Sequence, residues 1–440
     1  MKRRDFLKRT TASGFALALP AIGRPGILEE QLLVGCVGTG GMGWKDRQRI
    51  SKNPQVRIIA LCDVDRDLLG RASKEVPGAR AYTDWRELLE QKEIDAVTVS
   101  IPDHMHAPVI FTALEQGKHV YGQKPLTHSV HEARQIGISA RKAGVVTQMG
   151  MQVHSTVAYR GIVKTIQAGV IGKVRAVHSW SDRPVWPQGP ALKRPTKSHP
   201  VPEHFDWNSW LGVAPKRPFV RELYHPGKWR GWVDFGSGAL GDMGCHILDP
   251  VVWSLQLGAP SAIRSEGPAP TETYPSSSII HYTFPGTQFT AGDSIDVSWY
   301  DGGKRPPSKL APLPSGKDLH ANGSLFIGEK GVLHHLHNGD VGDYSLLPEG
   351  DFSGYQKPDL EPHDHWLQWT RVCLGKDNAS APFDYSAPLT ETGLLGNVAL
   401  RFPGKELVWA AEKLRFRGFP EADTLVKRPY RKRWEVEGLS

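Results

Sequence analysis

The first third of the chain predicts an α/β fold built on a doubly wound parallel sheet. Apolar runs of strand length alternate with helical stretches of about 10–15 residues. A glycine-rich turn joins the first run to the first helix, and the second run ends on a carboxylate.

QLLVGCVGTGGMGWKDRQRI (31–50) reads as strand, turn and helix. Its G-x-G-x-x-G fingerprint is Gly38, Gly40 and Gly43, with Thr39, Gly41 and Met42 between them. The first glycine serves a tight turn. The second lets backbone approach a pyrophosphate, and the third lets helix and strand pack closely. The phosphates belong on the helix N-terminus, where unpaired N–H groups favour anions. VRIIALCDV (56–64) is the next strand, and Asp63 lies near its end, twenty residues past Gly43. A carboxylate there accepts ribose hydroxyls and repels a 2′-phosphate, which favours NAD over NADP. Arg66 nearby partly offsets that repulsion.

The alternation continues through a helix (84–92), a strand (95–102), a helix (106–118), the strand HVYG, a helix (127–144) and a strand (145–150). Ligands bind at the carboxyl ends of such strands. The residues there are Ser100, Pro102, Asp103, His104 and His106, then Gln123 and Lys124. A helix, STVAYRGIVKTIQAG, and the strand KVRAVHSW follow. AIRSEGP, SSIIHYTF, QFTAGDSIDVSWY and GSLFIGEKGVLHHL have strand character between Gly/Pro turns. HDHWLQWTRVCLG and PLTETGLLGNVALRF read as helices.

The 440 residues suggest two domains, and no run of 18 uncharged apolar residues is present. The net charge is +8, and residues 1–10 hold five positive and one negative side chain, so half of it lies in the leader. The body carries no basic stripe interleaved with aromatics, which argues against nucleic-acid binding despite KRPYRKRW near the C-terminus. The four cysteines are widely spaced and read as buried thiols. Arg3-Arg4, then Phe6-Leu7-Lys8 and a weakly apolar stretch ending near Ile22, match a twin-arginine export signal, although Lys2 stands where Ser or Thr is usual. The competing reading is a disordered basic tail. Export would place the protein in the periplasm or beyond, with the twin-arginine machinery as a transient partner. That route carries folded protein, which suits a cofactor loaded before export.

Beyond the fingerprint with Asp63, two motifs stand out: G-K-H-V-Y-G-Q-K-P-L (117–126) and G-A-L-G-D-M-G-C-H-I-L-D (238–249). Together they resemble the glucose–fructose oxidoreductase, inositol dehydrogenase and rhizopine-catabolism family (Gfo/Idh/MocA), and the tract 229–246 resembles an exported subgroup of it. With the leader pattern read as a signal peptide over 1–26, the resemblance implies an NAD-binding Rossmann domain over 27–150 and a substrate-binding and oligomerisation domain over 151–440. The second domain would be α/β, on a large, mostly antiparallel open sheet. Homo-oligomers through that sheet are implied as well.

The resemblance also implies roles. Lys124, before a cis Pro125, would sit beside the reacting carbon and the nicotinamide ribose. Asp242 would hold a substrate hydroxyl and His246 would be the general base. On one helix face Asp242, His246 and Asp249 come together, so Asp249 could orient the imidazole. Trp229 and Arg230 would reach the cofactor. The family usually has Glu where this chain has Gln123, and losing that carboxylate should release the lysine proton more readily. Six tryptophans between 180 and 232, in a Pro-rich stretch, suggest either sugar stacking or packing. Trp180, Gln152 and His154 are candidates for the substrate wall, with Tyr159 and His178 behind them. His334, His335 and His337, and His363 and His365, lack metal-ligand spacing, so no metal is expected. The substrate implied is a sugar, glycoside or polyol with a secondary hydroxyl, and the cofactor is expected to be tightly bound. Two other readings stay open: redox-neutral glycoside cleavage by transient oxidation and elimination, and non-catalytic sugar binding.

Overall fold

A computed structural model describes residues 31–440 except 315 and 340. The expected leader lies outside the described residues.

The chain opens as β1 (Leu32–Val37), α1 (Met42–Ile50), β2 (Val56–Cys62), α2 (Arg66–Glu75), β3 (Arg80–Tyr82), α3 (Trp85–Leu89), β4 (Ala96–Val99), α4 (His106–Glu115), β5 (His119–Gln123), α5 (Val130–Ala143) and β6 (Thr147–Gly150). These strands form a parallel sheet in the order β3-β2-β1-β4-β5-β6. β1 and β4 are nearly wholly buried, as strands covered on both faces must be. Local sequence sets the helix ends. Asp65 caps α2 through its side chain, and Ser129 and Glu132 form a capping box at the start of α5, which ends on Gly144 in a left-handed conformation. The strand order reverses between β1 and β4, and a crevice opens there.

The remainder runs α6 (Val157–Gln167), β7 (Val174–Trp180), α7 (Trp207–Leu211), α8 (Cys245–Ile247), α9 (Asp249–Leu255), β8 (Ala262–Glu266), β9 (Ile279–Pro285), β10 (Ser294–Tyr300), β11 (Gly323–Gly328), β12 (Val332–Asn338), β13 (Val341–Leu347), α10 (His365–Cys373), α11 (Phe383–Ala399), β14 (Glu406–Ala410) and β15 (Arg415–Phe416). Its strands make a second sheet in the order β13-β12-β11-β7-β10-β9-β8-β14-β15. Only the β7–β10 pairing is parallel. The expected architecture of a doubly wound parallel sheet followed by a mixed, mostly antiparallel one is therefore present.

One apolar core joins the two parts. It includes Val97, Ile110 and Ile136 from the first sheet and its helices, and Leu240, Ile280, Trp299 and Leu395 from the second. α10 returns to cover the first sheet, where Trp366 and Trp369 pack on Leu32, Val34 and Tyr121. The tryptophan-rich stretch is not a row of exposed platforms. Trp207, Trp210 and Trp232 pack with Phe205, Phe219, Tyr224 and Phe235 into a small core of their own. Trp207 and Trp210 stack at 4.8 Å. Backbone bonds from Arg66 N–H to His204 C=O (2.8 Å) and from Asp206 N–H to Val64 C=O (2.9 Å) seat this unit against the end of β2. The C-terminal basic cluster is folded in as well: Arg431 donates to carbonyls of Asn208 and Gly212, and Arg428 reaches His128. No helix among the described residues is long and apolar enough to cross a membrane.

Candidate active site

The glycine turn after β1 is held by contacts that leave no room for a side chain. A methyl at Gly38, whose φ is +88°, would lie 2.2 Å from the Ser100 carbonyl oxygen. One at Gly43 would lie 2.1 Å from the Gly38 carbonyl oxygen. β1, β4 and α1 can thus approach at backbone distance. α1 begins at Gly41 with no side-chain cap and no acidic residue in its first turn. No side chain therefore competes with an anion at the helix start.

A cavity of about 620 Å³ runs from this turn across the carboxyl ends of the strands. Gly38, Gly40, Gly41, Met42 and Asp63 line it at one end, with Asp84, Trp85 and Trp434 beyond. Asp63 accepts from the Thr39 amide (2.8 Å) and hydroxyl (2.9 Å), and from the Asp65 amide (3.0 Å). Burial pushes its carboxyl above the ordinary range, and those donors oppose the shift. Arg66 is exposed, directs Nη1 toward the Glu203 carbonyl (3.5 Å), and does not line the cavity. An uncapped helix start, a glycine cradle and an adjacent carboxylate suit a dinucleotide.

Ser100, Pro102, His106, Gln123 and Lys124 line the middle. Both ring nitrogens of His106 lie 2.7 Å from carbonyl oxygens, those of Pro125 and Ile101, so the ring ties the ends of β4 and β5 together. The Lys124–Pro125 bond is cis. Gln123 does not leave the region without a carboxylate. Its amide donates to both oxygens of Asp46 (2.8 and 3.1 Å), which also accepts from Ser100 Oγ (2.7 Å) and Trp366 Nε1 (2.8 Å). Lys124 keeps a carboxylate partner elsewhere. Its Nζ donates to the carbonyl (2.6 Å) and to Oδ1 (2.9 Å) of Asp242.

Asp242 also meets Arg183 (3.3 Å) and Arg230 (3.3 Å). Burial alone would raise its carboxyl, but Lys124, Arg230 and Arg183 outweigh burial and hold it well below the usual carboxylate range. Arg230 lies over the Trp229 ring at 4.5 Å, and both residues line the cavity. His246 lines it too. Burial and the Lys124 charge push its imidazole well below its ordinary value, so it is neutral, and its Nδ1 has no partner among the described residues. Asp103 lines the same wall, and its carboxyl is raised to about 7 by burial, against the pull of Arg230 and Lys124.

Three expectations fail here. Asp249 does not orient His246; it accepts from Tyr385 Oη (2.6 Å) and pairs with His154 Nδ1 (2.9 Å). Residues Leu240–Gly244 wind as a π-turn and α9 restarts at Asp249-Pro250, which breaks the regular helix phase. His154, so paired and stacked on Trp253, is not in the cavity wall. Trp180 is fully buried beside His334 and gives its Nε1 proton to the His320 carbonyl (2.7 Å), away from the cavity. Gln152 does line the cavity, while Tyr159 and His178 do not. Lining residues that were not expected at the site include Arg183, Asn322, His337 and Trp434. Arg183 had a usable signal, because it follows the end of β7.

Two models of one oxidoreductase family match the chain. The NAD-binding Rossmann model covers residues 32–151 and the C-terminal alpha/beta model residues 155–292, together more than half of the sequence. An inositol 2-dehydrogenase of Rubrobacter xylanophilus is 28% identical over 153 residues, 34% of this chain and 44% of that protein. A levoglucosan dehydrogenase of Pseudarthrobacter phenanthrenivorans is 24% identical over 234 residues, half of each chain. These matches span half or less of the curated relatives. In fold, the chain is similar to the WlbA dehydrogenase of Bordetella pertussis, solved with NADH and UDP-GlcNAcA (TM-score 0.58, 17% identity, 86% of this chain and 99% of that one). It is likewise similar to an oxidoreductase domain protein of Kribbella flavida (TM-score 0.56, 20% identity, 86% and 99%). The chain belongs to the Gfo/Idh/MocA oxidoreductase family, with its NAD-binding Rossmann domain and its C-terminal alpha/beta domain.

Proposed function

We propose that the protein is an exported NAD-dependent oxidoreductase that takes a secondary hydroxyl of a sugar, glycoside or polyol to the ketone. The observation that carries this is one continuous cavity with a glycine cradle at one end and Lys124, Asp242 and His246 at the other. Relatives named as inositol and levoglucosan dehydrogenases support the substrate class. Asp63 in the cavity, with Arg66 turned away, supports NAD over NADP.

The cradle of Gly38–Gly43 would hold the pyrophosphate, Asp63 the adenosine ribose, and Trp229 and Arg230 would lie along the nicotinamide end. A bound nicotinamide supplies the hydride acceptor. The remaining work falls to the chain. Lys124, fixed by Asp242, donates to the substrate oxygen and stabilises negative charge as the hydroxyl loses its proton. Neutral His246 has the free lone pair to accept that proton. Arg183 and Arg230 keep Asp242 ionised, so it can accept from a neighbouring hydroxyl.

The export reading rests on the twin-arginine pattern at Arg3-Arg4. A protein working where free NAD is scarce needs to retain its cofactor, so tight binding belongs to the same proposal. The seat of residues 204–206 on the end of β2 and the position of Trp434 at the adenosine end favour retention. The test is to denature the purified protein and assay the supernatant for nucleotide. Stoichiometric NAD is expected. NADP instead, or no dinucleotide, would overturn the cofactor assignment.

A further inference from the structure

His337 is a cavity residue that the proposed chemistry leaves unused. It comes from the end of β12, far in sequence from the other site residues, and lines the cavity beside Arg183, Asn322, Asp242 and His246. Its ring is 4% exposed and stacks nearly parallel on that of His246, with centroids 5.7 Å apart and 21° between planes. Two imidazoles thus stand side by side at the substrate end.

Their proton states differ for a structural reason. Tyr159 Oη lies 2.7 Å from His337 Nδ1, and this is the phenol's only hydrogen-bond partner among the described residues. Tyr159 is fully buried, and burial pushes its ionisation well above the ordinary value, so the phenol keeps its proton. A buried hydroxyl with one partner gives its proton to that partner, because the reverse arrangement strands the O–H. Nδ1 therefore accepts. Burial, Lys124 and Arg183 lower the His337 imidazole to about 4, so the ring is neutral and its single proton sits on Nε2. Nε2 has no partner among the described residues.

We propose that His337 is a fixed hydrogen-bond donor that reads a second substrate oxygen, vicinal to the one held by Lys124 and His246, and so selects vicinal diols. The inference rests on the sugar oxidoreductase reading above. His337 would touch the substrate directly; Tyr159 is a positioning residue that acts through it by locking the tautomer. A neutral imidazole is a sound donor here because it adds no positive charge beside Lys124, Arg183 and Arg230.

Two measurements test this. In the holoprotein labelled with ¹⁵N-histidine, His337, assigned by comparison with His337→Gln, should carry its proton on Nε2. Tyr159→Phe should shift part of the population to Nδ1. A wild-type proton on Nδ1 overturns the proposal, whether or not any sugar is turned over. The second is turnover of myo-inositol, free hexoses and their singly deoxygenated analogues. The wild type should prefer a diol over its neighbouring-deoxy analogue in kcat/KM, by on the order of 10²-fold, because the deoxy analogue leaves buried polar groups unpaired. His337→Ala should lower that ratio by about tenfold while still oxidising the deoxy analogue, the remaining preference being what Asp242 supplies, and His337→Gln, which keeps a donor, should restore part of it. An unchanged ratio in His337→Ala overturns the proposal. Failure of the wild type to oxidise any of these compounds counts against the oxidoreductase reading, and the tautomer measurement then decides the role of His337 by itself.

Discussion

Lys124 and Asp242 meet twice: the ammonium donates to the backbone carbonyl at 2.6 Å and to the carboxylate at 2.9 Å. The pair ties the end of the first sheet to the π-turn of the second part, so position and charge at the site depend on one contact. Lys124→Met should reduce turnover by about 10²–10⁴-fold, with nucleotide retained in the purified protein. Asp242→Asn removes the carboxylate that Lys124, Arg183 and Arg230 share, leaving Asp182 (2.7 Å from Arg183) as the carboxylate still paired with the group. It should cost on the order of 3 kcal/mol in denaturant unfolding as well as activity. Full turnover in either variant would contradict the assigned site.

Gly43 has no tolerance for a side chain. Gly43→Ala places a methyl 2.1 Å from a backbone oxygen, not from a movable side chain. The turn must open, and the nucleotide content of the purified variant should fall to near zero. Gly70→Ala, at a helical position with nothing near the added methyl, should keep its nucleotide.

Gln123 and Asp46 form a neutral amide–carboxylate pair in the core. Burial already raises the Asp46 carboxyl. Gln123→Glu sets a second carboxylate against it, and two such groups cannot both ionise without repulsion. Thermal unfolding should show a loss of roughly 2–4 kcal/mol at pH 8 that shrinks at pH 5, where one proton is shared. Equal destabilisation at both values would show that the contact is not electrostatic.

Buried neutral histidines set the acid limit. Desolvation lowers His365 to about 3 and His337 to about 4, and each has a hydroxyl on Nδ1 that suits a neutral ring. In the unfolded chain these rings return to about 6.5. Between pH 6.5 and 4 the unfolded state binds more protons at these rings than the folded one, so their contribution to stability falls as pH falls, while Asp103, raised to about 7 by burial, contributes in the opposite direction. Calorimetric Tm measured from pH 7.5 to 4.5 should drop steadily below 6.5. A flat profile would mean that these rings are already charged in the folded protein.

Trp207 separates packing from recognition. It stacks on Trp210 and Tyr224 inside the small aromatic core. Trp207→Ala should cost about 3–5 kcal/mol. KM should remain near wild type under conditions where the variant is folded.

What could be read in advance follows from how local each signal is. The βαβ unit around Gly38, Gly43 and Asp63 is legible because its constraints act between near neighbours along the chain. Lys124 is legible because it ends a buried strand. The phase of Asp242, His246 and Asp249 is not, since a π-turn leaves no mark in hydrophobic spacing and diverts Asp249 to His154 and Tyr385. Trp180 misleads because strand alternation turns it toward His334 and away from the cavity. His337 reaches the site only through the pairing of β12 with β11 and of β11 with β7, a register no local pattern specifies.

On the proposed reading, Lys124 and His246 hold a sugar hydroxyl and take its proton while the hydride leaves the carbinol carbon for bound NAD. The most direct measurement adds hexoses, inositols and glycosides to the purified holoprotein while bound-nicotinamide absorbance near 340 nm is followed. Reduction by at least one of them in the wild type, abolished in both Lys124→Met and His246→Ala, is the predicted result. Reduction that survives in those variants, or none with any of the compounds in a protein that carries NAD, would contradict it.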